Sequence, residues 1–362
     1  MIKRAQNCSF SLILPFNIIY MKKKTSLADI AQSLNVSKTL VSMVLNGRGE
    51  ENGISKDTRE KVIARAKELN YQPNMLARSL RLGKTNTIGL IVSDISNPFF
   101  SKIIRAVEDA LAEYDYNLIV CSTDEDVEKE GRLIKMLEYK QVDGMIISTS
   151  MASETDIRKK IRSGIPFVLI DRYLDNPDNP YVGTDNYLGA YRLTSHLIKN
   201  GYKKIVILSH QPTHLSSLKD RKKGYLQALK DHKINPDDRL IIDVPFQNRD
   251  RHVFEAMEHL FSEGEPDAVF CLNNSLSLAF LDFCKQKNIN IPGRTGLASF
   301  DDIDLFRLLP VTVTSVRQEV TEIGKQAVIK LLHEIRKPGS AEEKRVQIPP
   351  ILHIRESSQK IS

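Results

Sequence analysis

The spacing of hydrophobic positions changes near residue 87. Before it, apolar residues recur in three short sets: Leu27, Ile30, Ala31 and Leu34; Val41, Val44 and Leu45; Val62, Ile63, Ala66 and Leu69. Steps of three and four place each set on one face of a helix. The polar residues between them punctuate accordingly. Ser26 with Asp29 forms a capping-box pattern, Asn35 suits the left-handed residue of a tight turn, Ser37 caps a second helix, and Asn46-Gly47 ends it. A third helix is predicted from Ser55 to about Asn70. Two short helices joined by a tight turn and completed by a third predict a helix-turn-helix core.

After Gly83-Lys84-Thr85 the pattern becomes alternating β and α. Strands are predicted at Ile88 to Val92, Leu118 to Cys121, Met145 to Ile147, Phe167 to Ile170, Lys204 to Leu208, Ile241 to Val244, Ala268 to Cys271 and Gly296 to Phe300. Helical patterns such as Phe99 to Tyr114, Tyr187 to Lys199 and Leu276 to Gln286 lie between them. Continuous apolar strands alternating with helices predict an α/β fold with parallel sheets covered on both faces. Some 270 residues of this pattern exceed one sheet, so two lobes with a cleft between them are expected.

Charge separates the two regions further. The net +7 of the 362-residue chain sits at the front: residues 21–87 hold 13 Lys and Arg against 6 Asp and Glu, whereas residues 88–362 hold 37 against 39. A small basic module suits a polyanion such as duplex DNA. In a helix-turn-helix the second helix enters the major groove, and its solvent-facing side chains here are Lys38, Thr39, Ser42 and Met43.

Other chemistries find little support. No apolar run is long enough to cross a bilayer, and no basic amphipathic helix suits a membrane surface. Cys8, Cys121, Cys271 and Cys284 form no CxxC pair and read as reduced cysteines of a cytosolic protein. Histidines show no ligand spacing; His210 and His214 are four apart, but Pro212 intervenes, so no metal is expected. No GxSxG elbow, P-loop or Ser/His/Asp grouping marks an enzyme, and no cofactor is indicated. Residues 1–20 faintly imitate an export signal, but Pro15 and Asn17 interrupt the apolar stretch; they read as a disordered extension or an early start codon.

Ligands of open parallel sheets collect at the carboxyl ends of strands. The residues following the predicted strands include Ser93, Asp94, Asn97, Phe99 and Phe100; Ser148 and Thr149; Asp171 and Arg172; a loop ending at Arg221; Phe246; Asn273 and Asn274; and Asp301 and Asp302 beyond Phe300. Arg and carboxylates bridge neighbouring hydroxyls while rings stack on the apolar face of a sugar, so a polyhydroxylated ligand is expected.

The segments Leu27-Ala28-Asp29-Ile30-Ala31, Val36-Ser37-Lys38-Thr39-Leu40-Val41-Ser42 and Val44-Leu45-Asn46 resemble the headpiece of lactose-repressor/galactose-repressor transcription factors. The likeness continues through Thr58-Arg59-Glu60, Leu69-Asn70-Tyr71, Pro73-Asn74 and Ala77-Arg78-Ser79-Leu80, and extends over nearly the whole chain. It implies a three-helix headpiece at residues 21–72, a hinge helix and linker at 73–87, and a type I periplasmic-binding-protein-like domain at 88–356, with a tail at 357–362. The lobes would comprise about 88–185 with 317–345, and 186–316 with 346–356. Lys38, Thr39 and Met43 take base-reading positions; Ser26, Ser37, Ser42 and Asn46 take phosphate positions. Leu27 joins this DNA-contacting set, as do Asn74, Ala77, Arg78 and the minor-groove wedge Leu80 of the hinge. Asn97, Phe99, Phe100, Ser148, Arg172, Arg221, Phe246, Asn273, Asn274, Phe300 and Asp301 form the implied effector set.

Three departures stand out. Met43 cannot hydrogen-bond guanine but can pack on a thymine methyl. The loop Gly47 to Gly53 is about three residues longer than the family pattern, and Asn274 stands where that pattern has Asp. The combined expectation is a cytoplasmic homodimeric repressor that grips a near-palindromic operator and answers to a sugar-like effector. The alternatives are an exported sugar receptor, which has no use for a basic headpiece, and an enzyme of the same two-lobed shape.

Overall fold

The computed structural model describes residues 25–72, 83–161, 164–264, 266–340 and 343–360. The expected extension at 1–20 and the hinge residues Asn74, Ala77, Arg78 and Leu80 lie outside the described residues. The chain divides at Gly83/Lys84 into two compact units.

In the first unit, helices run Leu27–Leu34, Lys38–Leu45 and Lys56–Glu68. Each begins where a serine accepts a backbone N–H: Ser26 from Asp29, Ser37 from Leu40 and Ser55 from Thr58. Asn35 stops the first helix in the left-handed conformation at φ 53°. Ile30, Ala31, Val41, Val44, Val62 and Ala66 form the buried core. Ile63, expected on the same face, is 43% exposed; Val62 and Ala66 already occupy the inward stripe, and the next residue is turned about 100° away from it.

The second unit contains two six-stranded sheets. Strands β1 (Thr87–Val92), β2 (Asn117–Ser122), β3 (Gly144–Ile147), β4 (Phe167–Ile170), β5 (Tyr181–Thr184) and β11 (Arg345–Ile348) form the first, in the order β11-β5-β4-β3-β1-β2. Strands β6 (Ile205–His210), β7 (Ile241–Val244), β8 (Ala268–Cys271), β9 (Gly296–Phe300), β10 (Thr314–Arg317) and β12 (Ile351–His353) form the second, in the order β12-β10-β9-β8-β6-β7. All pairs are parallel except β10 with β12.

The chain crosses between lobes three times: after β5, after β10 and after β11. Because β11 pairs along its whole length with β5, residues 346–348 lie in the first sheet, and the last crossing falls beyond the expected boundary at 345. Helix Val320–Arg336 returns to the first lobe and packs Ile323, Ala327, Val328 and Leu331 against the helix Pro98–Ala112 and the sheet. At their crossing a Cβ on Gly324 would come within 2.6 Å of the Ala106 Cβ, so the two helix backbones approach closely only because this residue has no side chain.

Candidate functional site

The first unit presents one polar helix face. Lys38 and Thr39 are exposed, and Ser42 and Met43, one turn on, are half-buried beside them. Ser37 caps this helix, and Asn46 Nδ2 donates to the Ser42 carbonyl at 2.6 Å, fixing its other end. At the first helix Ser26 N and Oγ both donate to Asp29 Oδ2, at 2.7 and 2.8 Å. At each of these helix starts the serine accepts one backbone N–H, and a helix N-terminus carries the partial positive charge that suits phosphate oxygens. The 47–53 loop is tied down: Ile54 N donates to Gly49 O at 2.9 Å, and Arg59 pairs with Glu50 at 2.8 Å.

The second unit holds a cleft of about 550 Å³ between its lobes, at the carboxyl ends of the strands. Eight of the expected effector residues line it: Asn97, Phe99, Phe100, Arg172, Arg221, Phe246, Asn273 and Asp301. Asn97 caps the helix Pro98–Ala112 through the Phe99 N–H, which aims the start of that helix and its two rings at the opening. Asp171 (φ 62°) and Asp301 (φ 71°) follow β4 and β9 in the left-handed conformation, which aspartate tolerates better than most side chains.

Arg221 is the central cation of the second lobe. Its Nε donates to Asn186 Oδ1 at 2.7 Å, its Nη1 donates to the Leu272 carbonyl at 2.6 Å, and its guanidinium lies 3.7 Å from the centroid of the Phe300 ring. Burial lowers its pKa, opposed by the nearby Asp301 and Asp171 carboxylates. Burial conversely raises both of those carboxyls, with the arginines pulling the other way. Gln318 Nε2 donates to Asp301 Oδ1 at 2.6 Å.

Three residues of the expected effector set lie outside that lining. Phe300 is fully buried beneath Arg221. Ser148 is fully buried and donates to Asp171 Oδ2 at 3.4 Å. Asn274 is fully buried, donates to Asn97 Oδ1 at 2.9 Å and faces an adjoining cavity of about 410 Å³. Successive residues of a strand point to opposite sides, so membership of a strand end does not ensure exposure to the cleft.

The lining also includes Glu125, His210, Gln211 and Gln318, which the expected set omits. Glu125 follows β2 and His210 ends β6, so the strand-end rule applied to those strands finds both. Gln318 follows β10, whose Thr-Ser-Val-Arg sequence carries no apolar run. Burial lowers the His210 imidazole to about 4, helped by the Arg249 charge, so the ring is neutral near pH 7.

Both lobes contribute to closure. Asn97 Nδ2 donates to Ser275 Oγ at 3.3 Å, Tyr173 N donates to Ser216 Oγ and Tyr173 OH to Asp220 Oδ2, both at 2.7 Å, and His214 Nε2 donates to the Ser150 carbonyl at 3.0 Å. Among the described residues no group of His, Cys, Asp and Glu is placed to hold a metal, and no helix is long and apolar enough to cross a membrane.

A helix-turn-helix unit followed by a two-lobed α/β unit with a polar cleft defines the class of DNA-binding transcription regulators that carry a small-molecule-binding domain. The chain belongs to the LacI family. Residues 26–74 match bacterial regulatory proteins of the lacI family, and residues 85–357 match the periplasmic binding proteins and sugar binding domain of the LacI family. Membership makes the protein a transcription regulator and not an enzyme.

The chain is 32% identical over 339 residues to the ribose operon repressor of Halalkalibacterium halodurans, covering 92% of this chain and 97% of that one. It is 30% identical over 340 residues to the transcriptional repressor PurR of Mannheimia succiniciproducens, covering 93% and 99%. The lac repressor dimer bound to operator and the anti-inducer ONPF shares the fold with a TM-score of 0.80 at 22% identity, over 93% of this chain and 99% of that one. A LacI family regulator from Enterococcus faecium with bound ribose aligns with a TM-score of 0.65 at 28% identity, over 75% and 98%.

Proposed function

We propose that the protein is a cytoplasmic, homodimeric repressor whose two headpieces grip a near-palindromic operator, and whose cleft binds an uncharged sugar or sugar derivative that controls the grip. Lys38, Thr39 and Met43 read bases, Ser26, Leu27, Ser37, Ser42 and Asn46 position the headpiece on the backbone, and Asn74, Ala77, Arg78 and Leu80 act in the minor groove. The relatives support this assembly: one solved structure is a repressor dimer on its operator, and another holds ribose.

The observation that carries the sugar assignment is the convergence of Asp171, Asp301 and Arg221 with the rings of Phe99 and Phe246 around one cleft. Buried carboxylates accept from vicinal hydroxyls, the guanidinium donates to them, and the rings cover the apolar face of a pyranose or furanose. A ligand controls DNA binding only if it prefers one lobe arrangement, because equal affinity for both shifts nothing.

The test is an operator selection at stated salt, followed by anisotropy titrations of the selected duplex with a panel of neutral sugars and a panel of purine bases. A sugar that alters operator affinity at least about tenfold supports the reading, since this is the size of an ordinary coupling free energy. A response to a purine base alone overturns the sugar assignment, and the PurR relatives make that arm necessary. Absence of any duplex binding in dilute buffer overturns the whole.

A further inference from the structure

The turn after β2 places two consecutive non-glycine residues in the left-handed region, Asp124 at φ 55° and Glu125 at φ 60°. Such a conformation costs about 1 kcal/mol or more for a residue with a Cβ, so other interactions must hold it. Asp124 N donates to the Ser93 carbonyl at 2.7 Å, and its carboxylate accepts from Ser122 Oγ at 3.0 Å. These bonds turn the next side chain into the cleft.

There Glu125 meets Arg172 in a fork: Oε1 accepts from Nη2 at 2.5 Å and Oε2 from Nη1 at 2.7 Å. Oε2 also accepts from Ser150 Oγ at 2.7 Å. Both side chains are 9% exposed. Burial pushes the Glu125 carboxyl up, but the Arg172 charge and hydrogen bonds outweigh it and hold the group ionised. The remaining nitrogen, Nε, lies 3.3 Å from Asp171 Oδ2 without hydrogen-bond geometry. A carboxylate of the chain thus occupies the two nitrogens with which an arginine grips a ligand carboxylate or phosphate.

We infer that Glu125 is a specificity-determining residue that closes the cleft to anionic ligands and reserves it for uncharged polyols. The inference rests on reading the cleft as a sugar site and acts through two effects. Arg172 has no free fork for an incoming phosphate. In addition, the lining carries four carboxylates, Asp94, Glu125, Asp171 and Asp301, against two guanidiniums, Arg172 and Arg221. An anionic ligand would therefore enter a cleft of its own sign, whereas a hydroxyl that donates to one carboxylate and accepts from Arg221 meets no such opposition. Removing the Glu125 carboxylate releases a buried guanidinium and reverses the preference.

The test uses the full chain, Glu125→Gly, which suits φ near 60°, and Glu125→Gln, which keeps the shape and removes the charge. Each is titrated calorimetrically with neutral pentoses and hexoses, with their monophosphate esters, and with inorganic phosphate. Circular dichroism checks folding, and Glu125→Gln serves if the glycine variant fails it. The native protein should favour the free sugar over its ester by about a hundredfold or more, the size of two charge-assisted contacts denied. The variants should raise affinity for the ester and for phosphate about tenfold or more. A native protein that binds the ester as tightly as the sugar overturns the inference, as does a folded variant with an unchanged sugar-to-ester ratio and no gain in phosphate affinity. Gain of phosphate binding in the variants, with no sugar bound by any form, sustains the selector and overturns the sugar reading alone. Neither sugar binding nor phosphate gain overturns both.

Discussion

Replacing Arg221 by lysine keeps the charge and removes the fork. The native guanidinium satisfies Asn186 Oδ1 at 2.7 Å and the Leu272 carbonyl at 2.6 Å while lying 3.7 Å from the centroid of the Phe300 ring. An ammonium on a flexible stem can reach one of these acceptors but cannot lie flat on the ring. One lost charge-assisted bond costs about 1.5–3 kcal/mol, and the desolvated cation–π contact adds about 2. The retained charge still faces Asp171 and Asp301, which offsets part of the loss, so the two-lobed unit should be destabilised by about 2–4 kcal/mol. For a unit of this size that lowers Tm by roughly 3–7 °C. Sugar affinity should fall at least about tenfold, because a flexible ammonium that must also serve the Asn186 or Leu272 acceptor no longer holds a donor fixed toward a hydroxyl. Differential scanning calorimetry with and without sugar reads the first quantity, and titration calorimetry the second. An Arg221→Lys protein with native Tm and native sugar affinity would refute the assignment of Arg221 as the anchor of both the lobe and its ligand.

Four other outcomes follow from the same packing. Gly324→Val drives a side chain into Ala106, whose Cβ lies 2.6 Å from the position of the new Cβ, and should cost about 1–3 kcal/mol in urea unfolding of the two-lobed unit. Ser37→Ala removes the cap that accepts from Leu40 N at 3.1 Å; it should destabilise the headpiece by about 1 kcal/mol and weaken operator binding, while the two-lobed unit melts as before. The His210 imidazole sits at about 4 when folded and near 6.5 when unfolded, so between those values the unfolded chain binds the extra proton. Its contribution is therefore present above about pH 6.5 and falls away toward pH 4, by up to about 3 kcal/mol, and a His210→Gln protein should show a correspondingly flatter acid limb in urea unfolding. Tyr173→Phe removes the hydroxyl that donates to Asp220 at 2.7 Å across the lobes; it should weaken sugar binding about threefold to tenfold without contacting the sugar, measured by titration calorimetry.

The headpiece was legible because its signals are local. Ser26, Asn35, Ser37 and Ser55 each act on a backbone group within a few residues, so their spacing is sufficient to place three helices. The apolar strands β1, β4, β8 and β9 were legible for a related reason: burial on both faces leaves an unbroken hydrophobic run. Strands β5, β10, β11 and β12 were not. Tyr-Val-Gly-Thr and Thr-Ser-Val-Arg carry no apolar run of their own, and each lies between a near partner and a late one, β5 between β4 and β11 and β10 between β9 and β12. The cleft shows the same division. A rule about strand ends locates Asn97, Arg172, Arg221 and Asp301, but the rotation of a side chain about its strand decides whether it lines the cleft, as Asp301 does, or lies behind that lining, as Phe300 does. Glu125 is reached by position once the strand-end rule is applied to β2, but its direction comes from two left-handed residues, a geometry that neither hydrophobic period nor residue type announces.

The contacts that close the lobes explain why a small molecule can govern them. Asn97 with Ser275 and Asn274, Tyr173 with Ser216 and Asp220, and His214 with the Ser150 carbonyl are hydrogen bonds rather than a continuous apolar seam. Each contributes a net of about 0.5–1.5 kcal/mol, with a further increment where Asp220 is the acceptor. Part of that sum is offset by the cost of ordering the loops that make the bonds. Open and closed arrangements are therefore near balance. In the proposed reading, a sugar held by Asp171 of the first lobe together with Arg221 and Asp301 of the second would add bonds that exist only when both lobes are engaged. Shifting a population from one part in a hundred to ninety-nine requires about 5.5 kcal/mol of differential binding. Two or three charge-assisted bonds of about 1.5–3 kcal/mol each supply it. On the proposed sugar reading, the buried charges that make the cleft costly to fold are the same groups that would let a neutral ligand act as the switch.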